Sequence, residues 1–254
     1  MNKIIVSPVI AQRLAVTVAL LLVLTMTAMA DTGRYDQQIQ QALSHQVQGK
    51  KQLRSVNSTV EDGIVTLTGT VDLYRDKLDA GKKAKKLNHV TGVRNNVTVA
   101  GVSVSDALLQ QKLTRKLAYD RVGYFDNTFN YVGLQVKDGV VTLSGDTLWG
   151  PPKDSALALV ASTPGVKDVV DEVTVLPASI FDDSLRARTA RAIYGDSVLG
   201  RYGSDPAHPI RIVVDNGHVT LYGTVENTMD RNIAGIRANG VPGAFSVENK
   251  LVVN

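Results

Sequence analysis

The sequence predicts an α+β protein built as three tandem αββαβ units, and three observations carry that reading. The stretch Asp62-Gly63-Ile64-Val65-Thr66-Leu67-Thr68-Gly69 returns as Asp138-Gly139-Val140-Val141-Thr142-Leu143-Ser144-Gly145 and again as Asn216-Gly217-His218-Val219-Thr220-Leu221-Tyr222-Gly223. Its turn glycines Gly63, Gly139 and Gly217 stand 76 and 78 residues apart, the near-constant spacing of an internal repeat. Asp-Gly or Asn-Gly ahead of a Val-x-Leu run signals a hairpin, because a type I′ turn needs φ > 0 at both central residues. Around each hairpin, apolar residues recur at helical spacing on either side.

Composition sets the bounds. With 254 residues, 44% hydrophobic and 20% charged, the chain has material for three small globular units. It has no cysteine, which excludes disulfides, thiolate nucleophiles and Cys-ligated zinc. The N-terminus reads as a targeting segment. Lys3 and Arg13 precede an apolar run from Leu14 to Leu24, and Ala28-Met29-Ala30 is a small-x-small cleavage pattern. Residues 1–30 are therefore expected to be a signal peptide cut after Ala30, with the mature chain periplasmic or extracellular. Residues 35–100 carry 10 Lys+Arg against 6 Asp+Glu, residues 101–176 carry 7 against 9, and residues 177–254 carry 8 against 8. That balance is too mild to argue for nucleic acid.

The first unit, residues 31–100, opens with a helix pattern from about Asp36 to Gln48. A β-rich run from Leu53 to Glu61 leads into the Asp62-Gly63 turn. In the strand Ile64 to Val71, Val65, Leu67, Gly69 and Val71 alternate with threonines, the period of a half-buried strand. A second helix spans about Leu73 to Leu87, with Leu73, Ala80, Ala84 and Leu87 on one face. A last strand ends at Val99.

The second unit, residues 101–176, starts with a helix from about Ser105 to Leu117. A longer connection bears Tyr124, Phe125 and Phe129. Strands follow at Tyr131–Lys137 and Val140–Asp146. Thr147 to Pro152 reads as a loop with prolines suited to a helix start, and the second helix spans about Lys153 to Ser162. The third unit, residues 177–254, has a first helix from about Asp183 to Tyr194. A Gly- and Pro-containing loop leads to strands at Ile210–Asp215 and Val219–Val225. Its second helix carries Met229, Ile233 and Ile236 on one stripe. Asn88-His89 stands where the other copies have Pro164-Gly165 and Pro242-Gly243, a helix-ending turn that favours the left-handed conformation.

The pattern [Asp/Asn]-Gly-x-Val-Thr-Leu-x-Gly, an alanine-containing helix, then Gly-Val-x-x-Val-x-Asn-x-Leu-x-Val resembles the BON domain family. Three copies in register, behind a signal peptide, are similar to its osmotically inducible periplasmic members. The resemblance covers nearly all of residues 35–254. Departures are His89 for glycine, Asp171 for asparagine and Ala244 for valine. It implies two helices packed on one face of a three-stranded mixed sheet in each unit. It also implies a role in binding phospholipid or envelope surfaces under osmotic stress, with no catalytic motif.

Comparison of the copies weighs the candidate chemistry. Asp62, Gly63, Gly69, Asp138, Gly139, Gly145, Asn216, Gly217 and Gly223 recur, and each has a backbone reason to do so. No His, Ser, Lys or Glu recurs as a nucleophile, base or ligand. His45, His89, His208 and His218 lack ligand spacing and read as surface residues. Asp182-Asp183 and Asp171-Glu172 read as a helix cap and a strand-edge charge. Asn95, Asp171 and Asn249 are the one recurring polar position besides the turn and the strand threonine, read as a side chain bonding local backbone.

Arg75, Lys77, Lys82, Lys83, Lys85 and Lys86 crowd one helix. They read either as a solvated face or as a patch for anionic headgroups. Trp149 either packs on its own unit or anchors at a membrane interface. The expected protein is non-enzymatic and periplasmic, binds anionic phospholipid surfaces peripherally and supports the envelope under osmotic stress. Cofactors, nucleic acid and small-molecule substrates are not expected. The alternative is a periplasmic chaperone or protein-interaction module with envelope-protein partners, working through uncovered sheet faces.

Overall fold

The computed structural model describes residues 35–120, 127–205 and 208–254. The expected leader with its cut after Ala30, and Tyr124 and Phe125, lie outside the described residues. The described chain divides into two compact units: residues 35–72 with Asp76–Ala100, and Leu73–Arg75 with Gly101–Asn254.

In the first repeat, α1 covers residues 35–43 and runs into a π-turn, Ser44–Gln48. Strands β1 (Val56–Glu61) and β2 (Ile64–Val71) pair antiparallel, with Val60 opposite Val65. Helix α2 spans Tyr74–Lys85. The chain returns parallel to β2 as β3 (Gly92–Asn95) and β4 (Thr98–Val99). The sheet is thus mixed, the consequence of one hairpin followed by one helical crossover. Val65 and Leu67 point to the helix side and are fully buried with Ile39, Leu43, Ala80 and Ala84. The expected strand from Leu53 starts later, because Leu53 sits in a 3-10 turn and is buried there.

The second repeat follows the same course through α3 (Asp106–Ala118), β5 (Tyr131–Lys137), β6 (Val140–Thr147), α4 (Gly150–Ala161) and β7 (Asp168–Val175). Strand order is β5-β6-β7. Residues 150–152, expected as loop, form the first turn of α4, where proline lacks only an amide that has no partner in any case.

The third repeat holds α5 (Ile180–Tyr194), α6 (Gly200–Ser204), β8 (Arg211–Asp215), β9 (His218–Tyr222), β10 (Thr224–Val225), α7 (Thr228–Asn239), β11 (Ser246–Asn249) and β12 (Val252–Val253). The expected strand Val219–Val225 is broken at Gly223, whose φ is 127°. The loop before β8 contains α6, anchored by buried Leu199 and Tyr202. The structure also shows which side of α7 the apolar stripe occupies. Asp230, Ala234 and Ala238 form the buried face, while Met229 and Ile236 are each 70% exposed. Alanine lets the helix approach its sheet closely, so the larger side chains are left on the outside.

Repeats two and three pack on each other within their unit. Tyr131 and Tyr222, on sheet faces turned away from their own helices, stack with ring centroids 3.8 Å apart and 5° between planes. Arg211 donates to the carbonyls of Asn127 (2.7 Å) and Asn130 (3.2 Å) and to Asn127 Oδ1 (2.9 Å). Phe129 packs against the third repeat's core. Burial lowers the Arg211 guanidinium from its ordinary pKa, as for a cation held by neutral oxygens. Half-buried Asp146 is raised by burial and by Asp215, with Lys250 opposing.

Candidate functional site

Each hairpin turn has the left-handed backbone of a type I′ turn: φ is 51° and 74° at Asp62-Gly63, 56° and 80° at Asp138-Gly139, and 49° and 79° at Asn216-Gly217. Gly69, Gly145 and Gly223, at the far end of the second strand, also have positive φ. The turn directs its two amides outward, and one carboxylate receives both. Asp36 accepts from Asp62 N (3.0 Å) and Gly63 N (2.8 Å). Asp106 does the same for Asp138 (2.6 Å) and Gly139 (2.9 Å), and Asp182 for Asn216 (3.1 Å) and Gly217 (2.9 Å). Asp182 is therefore a turn clamp and not the cap expected of it. Ser179 caps α5, its side chain accepting from Asp182 N.

This recurring aspartate escaped the reading of the sequence because it sits 27, 33 and 35 residues before its turn glycine. Loops of different length lie between. The three carboxylates are spent on backbone amides, so they are not available as paired acids and bases.

The recurring Asn/Asp position does more than bond local backbone. Asn95 Oδ1 accepts from Val97 N, while its amide donates to Lys77 O of α2 at 2.8 Å. Asn249 likewise accepts from Leu251 N and donates to Arg231 O at 2.7 Å. Asp171 accepts from Val173 N but has no proton to donate. Lys153 makes the link instead, with its ammonium 2.9 Å from Asp171 Oδ2 and 2.7 Å from Val173 O. These contacts tie the last strand to the second helix.

The surface of α2 is where chemistry unlike the other copies gathers. Ala80 and Ala84 face the core. Arg75, Leu78, Lys82 and Lys85 succeed one another at three- and four-residue steps on the exposed side, and exposed Lys86 follows the helix end. Lys77 and Lys83 flank the row, half-buried, with Lys83 Nζ 3.7 Å from Asp79. Asp79 is thus a counter-charge at the i, i+4 spacing that favours such a pair. Trp149 is half-exposed at the N-cap of α4. On α7, Met229, Ile233 and Ile236 take the places of Arg75, Asp79 and Lys82, counted from Gly223 and Gly69. At the Arg75 and Lys82 positions, basic in the first repeat, the third has the exposed apolar Met229 and Ile236.

Among the described residues, no group of three or more His, Asp and Glu converges to hold a metal ion, and no helix is long and apolar enough to cross a membrane. Buried polar groups serve the scaffold. Asp230 accepts from the Tyr202 hydroxyl at 2.6 Å and pairs with Arg201, holding α6 to α7. Arg186, buried, donates to Val214 O at 2.5 Å and pairs with Asp183.

The family model for the BON domain matches residues 35–101, 105–177 and 196–254. A comparison with curated proteins finds no match. Among solved structures, the C-terminal domain of CdsD, a structural protein of the type III secretion system of Chlamydia trachomatis, is 17% identical. The alignment covers 84% of this chain and 96% of that one, at a TM-score of 0.23. The periplasmic domain of the inner membrane protein PrgH from S. typhimurium is 11% identical over 84% of this chain and 98% of that one, at a TM-score of 0.22.

Proposed function

The chain belongs to the BON domain family, in three tandem copies, and from that premise we propose that it is a non-enzymatic envelope protein that binds anionic phospholipid surfaces peripherally. The observation that carries the proposal is the exposed row Arg75, Leu78, Lys82 and Lys85 on α2, continued by Lys86 just past its end. A folded helix needs no such row: the equivalent positions along and just after α7 are Met229, Asn232, Ile236, Asn239 and Gly240. Clustered lysines repel one another, and an anionic surface removes that cost. Each basic residue held near such a surface contributes about 1 kcal/mol, and the attraction fades beyond a Debye length of about 8–10 Å. The N-terminal signal-like segment supports placement in the periplasm, where the protein would serve the envelope under osmotic stress. In this reading residues 1–30 are removed, and units 31–100, 101–176 and 177–254 form the mature protein.

Co-sedimentation with vesicles tests it. Binding should require phosphatidylglycerol, weaken steeply between low and high salt, and fall when Lys82, Lys85 and Lys86 are changed to Glu. Binding indifferent to anionic lipid and to these lysines would sink the electrostatic reading.

A second reading, a chaperone or protein-interaction module, is favoured by Met229 and Ile236, which leave an apolar stripe in water. It expects the chain to slow aggregation of an unfolded client, and Met229→Ser with Ile236→Ser to abolish that effect.

A further inference from the structure

Three large apolar side chains crowd the turn end of the third repeat. Ile180 is 88% exposed, Phe245 72% and Phe181 46%. The two phenylalanine rings lie 5.9 Å apart at 28°. Phe245 rests on the hairpin turn itself, its ring filling the place where Gly217 would carry a β-carbon, and Phe181 lies in van der Waals reach, 3.7 Å, of the same place at Gly243. His218 meets Phe245 edge-on at 6.1 Å.

The fold does not require them. Neither ring belongs to the third repeat's core. Phe245 N donates to Gly217 O at 2.9 Å, and Thr91 and Lys167 make the same bond to Gly63 and Gly139 at the same distance. Ahead of the clamping aspartate, where the third repeat has Phe181, the others have Tyr35 and Ser105. At the Phe181 and Phe245 positions the siblings thus carry Tyr35 with Thr91 and Ser105 with Lys167, while at the Ile180 position the second repeat has Val104. Burial in any core would favour these side chains, so leaving them in water calls for a partner.

We propose that Ile180, Phe181 and Phe245 insert into the interfacial zone of a phospholipid bilayer, anchoring the third repeat. Three protruding side chains offer far less than the roughly 800 Å² per partner of a stable protein interface. They suit a deformable apolar layer a few ångströms below the headgroups. Arg188, whose guanidinium reaches Gly243 beside the tip, supplies a cation for headgroup phosphates. The proposal rests on the membrane reading above and adds a second, hydrophobic contact to its electrostatic one.

The absence of cysteine permits single-site labelling. The exported chain carrying Ile180→Cys with an environment-sensitive dye is mixed with phosphatidylcholine vesicles containing phosphatidylglycerol. The dye should shift to the blue and be quenched by headgroup-level spin labels, while a dye at Thr68→Cys on β2 should stay in a water-like state. Phe181→Tyr with Phe245→Thr, the residues the first repeat carries there, should weaken vesicle partitioning by about tenfold or more. If vesicles still bind with a water-like dye and unchanged partitioning, the tip is overturned and the membrane reading stands. If no version binds vesicles, both fall. A blue shift that grows with protein concentration without vesicles, alongside dimers in sedimentation, would overturn the bilayer as occupant.

Discussion

The side-chain amide nitrogen of Asn95 lies 2.8 Å from where Gly81 would carry a β-carbon, so α2 makes room for the bond that pins its own strand. Asn249 and Gly235 repeat the arrangement at 3.0 Å. The second repeat has Asp171 and Leu157 at the same two positions, and Lys153 supplies the cross-link. Each set of three is self-consistent and mixes poorly. Gly81→Leu should destabilise the first unit by about 1–3 kcal/mol through overpacking, despite a better helix propensity. Adding Asn95→Asp should recover part of that loss, since Lys77 can then act as Lys153 does. A double-mutant cycle in urea measures the coupling, and simple additivity would refute it.

The clamp on the turn makes a local prediction. Asp106→Ala leaves two amides of a strained turn without an acceptor, at a cost of about 1–3 kcal/mol. Hydrogen exchange at Asp138 and Gly139 should accelerate well before the rest of β6. Unchanged protection there would show that the carboxylate is dispensable.

Arg211 joins the second and third repeats through hydrogen bonds to neutral oxygens of Asn127 and Asn130. Arg211→Ala should cost about 1.5–3 kcal/mol, the range for hydrogen bonds to a charged group. Calorimetry should then show the joint transition of these repeats separating into two. A single transition at an unchanged temperature would mean that the Tyr131–Tyr222 stack suffices.

Alkaline stability should depend on Tyr194. Its hydroxyl donates to Ile210 O at 2.5 Å, and burial pushes its pKa up to about 12, against smaller lowering by Thr128 and Arg211. The unfolded tyrosine gives up its proton near 10. The folded state binds the proton more tightly, so this stabilisation is complete below pH 10 and is lost as pH rises through 12. Urea midpoints should fall across that window. Tyr194→Phe should lessen the fall, and an identical slope in the variant would refute the assignment.

The sequence alone determined the repeat, the hairpins and the αββαβ order, because those depend on short-range rules. Asp62-Gly63 and its copies can make one kind of turn, and Val-x-Leu alternation can bury one face. Membership of the BON family was legible for the same reason, since its pattern consists of turn and core positions. Tertiary structure decided what depends on distance along the chain. The clamping aspartates lie too variably far from their turns to stand out as a spacing, and Asn95 could not be linked to Gly81 before strand and helix were packed. It also decided which side of each helix faces water. On α2 the alanines already marked the core side. On α7 the spacing gave a stripe of Met229, Ile233 and Ile236 without a buried side, and close helix-to-sheet packing selected Ala234 and Ala238 and left Met229 and Ile236 outside.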